Sequence, residues 1–255
     1  MLYESIVFGP IKSRRLGISL GINLLPTTAK ICSFNCIYCE CGFNFTNEAA
    51  HCPTHTEVEN ALNNVLWQMA NEGKHIDSLT FAGNGEPTLH PDFDKIVDAT
   101  ICLRNRYYPN AKISVLSNST MLHRPKVVAA LKKVDNNILK LDSTISKTVR
   151  ILNQPVNEKF DIKEIIEQQR QFNGQLIIQT FFVKGTYNGH SIDNSTEKEV
   201  EAWLDAINRI RPKSVELYSL DRVPPVSTLQ KIDGETLKKI ASRVEDLGIY
   251  TSVIL

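Results

Sequence analysis

The feature that most constrains this chain is a hydrophobic period that switches from two to about 3.6 and back along nearly its whole length. Leu16, Ile18, Leu20, Ile22 and Leu24 alternate with Gly17, Ser19, Gly21 and Asn23, which is the period of a strand, and Pro26 ends the run. Val58, Leu62, Val65, Leu66 and Met69 then share one helical face behind a capping box of Thr56 and Glu59, with Gly73 closing the helix. The alternation continues. Strands are predicted at Ser78 to Ala82, Ile113 to Leu116, Ile138 to Leu141, Leu176 to Val183 and Ser214 to Ser219. Between them lie helical patterns around Phe93 to Ile101 and Val127 to Leu131, from Asp161 to Phe172, and from a capping box of Thr196 and Glu199 through Ile207. A last helix carries Leu237, Ile240, Ala241, Val244 and Leu247 up to Gly248, and Ile249 to Ile254 adds one more strand.

Six strand and helix pairs in this order predict an α/β fold with a parallel sheet and outer helices. The count favours a partial (β/α)6 TIM-type barrel over an open doubly wound sheet. No internal repeat, low-complexity stretch or long linker is present, so 1–255 is expected to form a single domain. In such folds the loops after the strands gather on one face. The segments expected there are the loop after Pro26, Gly83 to Glu86, Ser117 with Asn118, Asp142 with Ser143, and Leu217, Tyr218 and Ser219.

The loop after Pro26 is rich in thiols. With 255 residues, 42% of them hydrophobic, the chain has enough apolar content for a core without disulfide staples, so its six cysteines are not needed for folding. Cys32, Cys36, Cys39 and Cys41 fall within ten residues, while Cys52 and Cys102 stand apart. The first three are spaced by four and three, close enough for one loop to wrap around one inorganic centre. A closed structural zinc site wants four ligands and a cubane of four irons wants one thiolate per iron, so three thiolates leave one iron open to a substrate or cofactor. Taken alone, the spacing also allows zinc or free thiols. Cys41 reads as a bystander or, with Cys52, as part of an auxiliary cluster; Cys102 reads as a core residue and His90 as a capping or packing residue. The pair Gly83 and Gly85 lacks the third glycine of a dinucleotide fingerprint.

Cys32, Cys36, Tyr38 and Cys39 match the CxxxCxxC signature, with an aromatic residue before the third cysteine, and in this the chain resembles the radical S-adenosylmethionine (radical SAM) superfamily. Gly83-Asn84-Gly85-Glu86-Pro87 looks like that superfamily's Gly-Gly-Glu region, which holds the amino group of the methionine moiety. Ser117, Asn118, Asp142 and Ser143 resemble its ribose and carboxylate contacts, and Leu217, Tyr218 and Ser219 the segment lining the adenine. The resemblance covers about 9–222, leaving the helix and strand of 233–255 as a C-terminal addition. It implies a 4Fe-4S cluster on Cys32, Cys36 and Cys39 with S-adenosylmethionine chelating the fourth iron, Tyr38 packed on the adenine, and an oxygen-sensitive enzyme. A 5′-deoxyadenosyl radical would take hydrogen from a substrate, and an electron donor such as flavodoxin or ferredoxin would serve as partner.

The run from Gly9 to Gly17 and the late Leu220-Asp221-Arg222 resemble the short radical enzymes grouped with wyosine-base synthases, which modify a guanosine of transfer RNA. Those carry cysteines for a second cluster ahead of the main one, and none precedes Cys32 here. A charge balance of 29 Lys+Arg against 28 Asp+Glu also argues against a surface built for phosphate backbones, apart from a patch at Lys12, Arg14 and Arg15. RNA, a peptide, as for an activase or peptide-modifying enzyme, and a small molecule all remain substrate classes, beside a non-catalytic metal protein. Arg14, Arg15, Lys184, Tyr218 and Arg222 are the expected substrate contacts. The N-terminal residues lack the apolar core of a signal peptide and Leu16 to Ala29 is too short and polar to span a bilayer, so a cytoplasmic protein with no membrane partner is expected.

Overall fold

The alternating run beginning at Leu16 forms a strand as its period requires, but an additional strand precedes it. The computed structural model describes residues 2–255, and the chain falls into two units interleaved in sequence. The first takes the residues up to Cys32 together with Asn44–Ser117 and His123–Asn137, and the second takes Ser33–Phe43, Asn118–Leu122 and Ile138–Leu255.

In the first unit β1 (Val7–Ser13) pairs antiparallel with β2 (Gly17–Ile22). After α1 (His55–Asn71), β3 (Ser78–Phe81) lies parallel to β2; α2 (Phe93–Tyr107) then leads to β4 (Lys112–Ser117), parallel to β3, and α3 (Pro125–Leu131) follows. The strand order is β1-β2-β3-β4. Leu20, Ile22, Leu79, Phe81, Ile113 and Val115 are buried on one face of these strands. The opposite face is polar yet also buried: Ser19 shares a hydroxyl hydrogen bond of 2.7 Å with Thr80, and Ser78 one of 2.9 Å with Ser114. These short hydroxyls satisfy one another across strands, which lets the sheet bury both faces.

In the second unit β5 (Asn136–Lys140), whose first two residues belong to the first unit, is followed by α4 (Ser146–Leu152), α5 (Ile162–Arg170) and β6 (Ile177–Phe181). A hairpin of β7 (Val183–Tyr187) and β8 (His190–Asp193) leads to α6 (Glu197–Ile210) and β9 (Ser214–Tyr218). β10 (Leu229–Lys231), α7 (Gly234–Glu245) and β11 (Tyr250–Ile254) complete it. β5, β6, β9 and β11 run parallel in that order, and β10-β7-β8 form a small antiparallel sheet. Trp203 of α6 anchors this core: its indole N–H donates to Leu141 O at 3.0 Å and its ring meets Phe182 edge-on at 5.7 Å.

Several expectations are corrected. The α1 capping box uses Thr54 and Glu57, two residues before the expected pair; the Glu57 carboxylate accepts from the Thr54 amide at 2.7 Å. Starting earlier adds hydrogen-bonded residues to the helix, so of two overlapping boxes the outer one wins. The strand expected over Leu176 to Val183 breaks at Phe182, and its last residue, Val183, begins the hairpin, closed by Asn188 and Gly189 at φ 48° and 76°. Cys102 is exposed and not in the core, because α2 buries Phe93, Ile96, Val97, Thr100 and Leu103 on its other side.

Candidate active site

In the first unit the loop after β3 is built on two glycines with φ of 149° at Gly83 and 142° at Gly85, a region open almost only to glycine. A Cβ on Gly85 would sit 1.8 Å from the Ile31 carbonyl oxygen, because Ile31 pairs with Gly85 in a parallel bridge. The Ile31 amide donates to Asn84 O at 3.0 Å and the Glu86 amide to Ile31 O at 3.3 Å. The residue before Cys32 is thereby fastened to the glycine loop. The Asn44 side-chain amide also holds the Cys32 carbonyl, at 2.9 Å.

Glu86 is buried, and its Oε1 accepts from the Thr88 amide at 3.1 Å, the Thr88 hydroxyl at 2.5 Å and the Ser117 hydroxyl at 2.8 Å. Ser117 thus acts through Glu86. The side chain of Asn84, an expected cofactor contact, is engaged with protein. It donates to Tyr3 O at 2.8 Å and Pro26 O at 2.9 Å and accepts from the Tyr3 amide at 2.8 Å. Asn23 reinforces the same loop by accepting from the Asn84 amide at 3.0 Å. His90 is a packing and capping residue: Nε2 lies 2.7 Å from Pro53 O and Nδ1 accepts from the Asp92 amide.

In the second unit the cysteine loop is braced by the segment that ends α4. The Asn35 amide donates to Asn153 O at 2.8 Å, the Ile37 amide to Leu152 O at 3.1 Å and the Val156 amide to Ser33 O at 2.9 Å. Asn118 holds Ser33 through its side-chain amide at 2.9 Å, and the Cys39 amide closes a turn on Cys36 O at 3.1 Å. Burial pushes the Cys36 thiol pKa above the usual thiol range. None of the six cysteines forms a disulfide.

Above this loop stands a buried network. Asp142 Oδ2 accepts the Tyr38 hydroxyl in a short hydrogen bond and the Asn153 amide at 2.7 Å, while Oδ1 accepts the Phe181 amide at 3.0 Å. Lys140 donates to the Tyr38 oxygen at 2.6 Å and lies 3.5 Å from Asp142. Burial opposes the Lys140 charge, yet the Asp142 carboxylate outweighs it and holds the ammonium pKa above the ordinary lysine range. The Tyr38 pKa is raised by burial first and by the neighbouring carboxylate second. Tyr38 stacks on Phe181 with centroids 3.9 Å apart, and Tyr218 meets Phe181 edge-on at 5.0 Å.

Ser143 donates to Glu199 at 2.6 Å, and Thr148 adds a short bond to the other carboxylate oxygen. Glu199 is therefore a tie between α4 and α6 and not the capping residue expected of it; the N-cap Thr196 makes no side-chain cap bond. Leu217 is fully buried, and Ser219 donates to Phe182 O at 2.7 Å, so of the adenine-lining trio only Tyr218 joins the aromatic group. Lys140, Asn153, Phe181 and Asn194 were missed by sequence reasoning. The one visible signal was a lysine closing the otherwise apolar Ile138-Leu139-Lys140.

Arg14 and Arg15 occupy the turn at the start of β2, about 20 Å along the strand from the end facing the glycine loop. Lys184 is exposed in the small sheet opposite Asp193. Arg222 pairs with Glu40, just after Cys39, at 2.7 Å, and both side chains are exposed. Among the described residues no three His, Cys, Asp or Glu side chains are grouped as a single metal ion would need; a cubane with one thiolate per iron asks for no such convergence.

Parallel strands joined by helices define an α/β fold that carries a thiol-rich loop after β2 and a glycine and glutamate loop after β3. The chain belongs to the radical SAM superfamily, whose family model matches residues 27–207. Membership makes it an enzyme that uses an iron-sulfur cluster and S-adenosylmethionine and needs a reductant and a substrate. Among relatives, a UPF0026 protein of Helicobacter pylori is 34% identical over 242 residues, covering 91% of this chain and 72% of that one. A Brachyspira hyodysenteriae protein named GTPase Obg is 29% identical over 91% of this chain, which spans only 32% of it. No phosphate-binding loop of the GxxxxGK[ST] kind occurs in the present sequence.

The fold is that of a radical SAM methyltransferase from Sphaerobacter thermophilus, at TM-score 0.67 and 14% identity over 92% of this chain and 65% of the other. A TYW1 structure with a lysine-pyruvate adduct gives 0.59 and 14% over 89% and 73%. The mixed α/β architecture with a mostly parallel sheet is thus the partial TIM-type barrel expected from the strand and helix count. No helix among the described residues is long and apolar enough to cross a membrane.

Proposed function

We propose that Cys32, Cys36 and Cys39 hold a 4Fe-4S cluster and that this chain uses it to generate a 5′-deoxyadenosyl radical that abstracts hydrogen from its substrate. The carrying observation is three reduced thiols at spacings four and three inside the matched family segment. The donor set suits the group: three thiolates serve three irons and leave one for the amino and carboxylate groups of S-adenosylmethionine. When bound, the cluster supplies one electron for reductive cleavage of the sulfonium.

The chain's own residues position and shield. The pairing of Ile31 with Gly85 fixes where the cysteine loop starts. Glu86, held by Thr88 and Ser117, presents a buried carboxylate suited to an ammonium group. Tyr38, Phe181 and Tyr218 supply flat apolar surface for a purine, and Lys140 supplies a fixed positive charge for a carboxylate. We treat 1–255 as one functional domain because the family match runs through segments of both units. A flavodoxin- or ferredoxin-like donor and a reducing cytoplasm complete the reading.

The test is anaerobic reconstitution, reduction with dithionite and addition of S-adenosylmethionine. Formation of 5′-deoxyadenosine supports the proposal; an intact cluster without it sinks the catalytic role. Cys36→Ala should lose chromophore and turnover while the exposed Cys102→Ala keeps both. Deuterium transfer from labelled RNA, peptide or metabolite pools into 5′-deoxyadenosine then identifies the substrate class.

A further inference from the structure

We propose that Asn153 sets the reduction potential of the cluster by donating a hydrogen bond to the Cys36 sulfur, an inference that rests on the ligand assignment above. Asn153 follows the last turn of α4 and is 2% exposed. Its side-chain nitrogen lies 3.5 Å from Cys36 Sγ, a normal span for the large sulfur acceptor, and 2.7 Å from Asp142 Oδ2. The primary amide carries two hydrogens. The Asp142 bond takes one and orients the group, so the second is directed at the side where the sulfur and, at 3.4 Å, the Tyr38 oxygen lie. The side chain has little freedom to swing away. The Asn153 backbone carbonyl accepts the Asn35 amide, and the Leu152 carbonyl accepts the Ile37 amide, so donor and acceptor sit on two backbones stitched together on either side of Cys36.

A donor aimed at a thiolate sulfur withdraws charge from it. The reduced cluster carries one more electron than the oxidised one, so the bond is stronger in the reduced state and raises the potential. Burial increases that difference. Asn153 is neutral, so its effect persists across pH, unlike that of a titrating neighbour. Only the part of the bond that strengthens on reduction moves the equilibrium, so its loss should lower the reduced-to-oxidised ratio at a fixed potential several-fold.

The experiment is a mediator titration followed by electron paramagnetic resonance, on full-length protein reconstituted anaerobically and without S-adenosylmethionine, so that no turnover enters the readout. Asn153→Ala is compared with Asn194→Ala. Asn194 is likewise a buried asparagine bound to the backbone around Asp142, donating to Asp142 O and Phe181 O, each at 2.8 Å, but is bonded to no thiol. Support is an Asn153→Ala cluster at wild-type iron content with a reduced-to-oxidised ratio several-fold lower, and an Asn194→Ala cluster unchanged. Equal shifts in both variants, or none in Asn153→Ala, overturn the tuning role. Asn153→Asp keeps the shape and removes the donor, and should be reduced still less readily. Loss of the cluster in both Asn153 variants with native far-ultraviolet dichroism makes the residue a loop scaffold and also overturns the proposal. Failure of the wild type to assemble a cluster refutes the ligand assignment instead.

Discussion

Gly85→Ala tests the claim that the glycine loop and the start of the cysteine loop are one structural unit. The added Cβ would lie 1.8 Å from Ile31 O and 2.6 Å from Ile31 C, and neither is the yielding tip of a flexible side chain. A backbone φ of 142° costs a non-glycine residue about 1–3 kcal/mol in its own right. Relieving the clash by parting the strands breaks the bonds from Ile31 N to Asn84 O and from Glu86 N to Ile31 O, at about 1 kcal/mol each. The sum is about 3–5 kcal/mol. Gly73→Ala is the control: its φ is 65°, also left-handed, but nothing lies within 4 Å of its added Cβ. It should cost only about 1–2 kcal/mol. Urea unfolding of the two apo variants, followed by circular dichroism, measures the difference without involving any cluster. Gly85→Ala should in addition fail to take up iron on reconstitution. Equal destabilisation of the two variants would show that backbone conformation alone matters and that the contact with Ile31 does not couple the loops.

Asn84→Ala removes one buried hydrogen bond to Pro26 and two part-buried ones to Tyr3 and should cost about 3 kcal/mol, with faster limited proteolysis of the segment around Tyr3. Ser143→Ala should destabilise by about 1.5–3 kcal/mol, and the loss should shrink in a Glu199→Gln background, a coupling that a double-mutant cycle reads directly. Burial raises the Asp135 pKa, but the Ile113 amide at 2.9 Å and the Arg104 guanidinium at 3.0 Å prevail and hold it below the usual carboxylate range. Asp135 therefore contributes stability above the unfolded carboxyl pKa of about 4 that is lost as pH falls through its lower folded value. Asp135→Asn should cost about 1 kcal/mol at pH 7, with the difference from wild type narrowing in acid unfolding below about pH 4.

How much of this was legible in the sequence depends on the range of the interaction. The parallel strands could be read because β2, β3 and β4 each place apolar side chains at alternate positions, and the cysteine spacing and the Gly83 to Glu86 loop are local patterns. β1 escaped because Gly9 and Pro10 interrupt it and an edge strand with a bulge has no strict period. The β7-β8 hairpin carried its signal openly in Asn188-Gly189, which a strand read through Phe182 concealed. The partners of Asp142 could not be read at all. Tyr38 lies 104 residues away in the chain, and no pattern in either segment states that a phenol and a carboxylate will meet.

The strand-end residues singled out by motif share a structural task. Asn84 fastens the N-terminal segment, Asn118 fastens Ser33, Asp142 gathers Tyr38, Asn153 and the Phe181 amide, and Ser143 ties Glu199. Each is a short polar side chain buried at a loop that could not otherwise pair its backbone, which is where unsatisfied groups are most costly. In this chain much of the motif therefore encodes the loops' shape. Under the proposed function, ligand recognition falls to the groups that this shape holds in place: the Glu86 carboxylate, the thiols, the aromatic group around Phe181 and the Lys140 charge. Substitutions at Asn84 or Ser143 should accordingly appear first in stability and only then in turnover, whereas those at Glu86 or Cys36 should reverse that order.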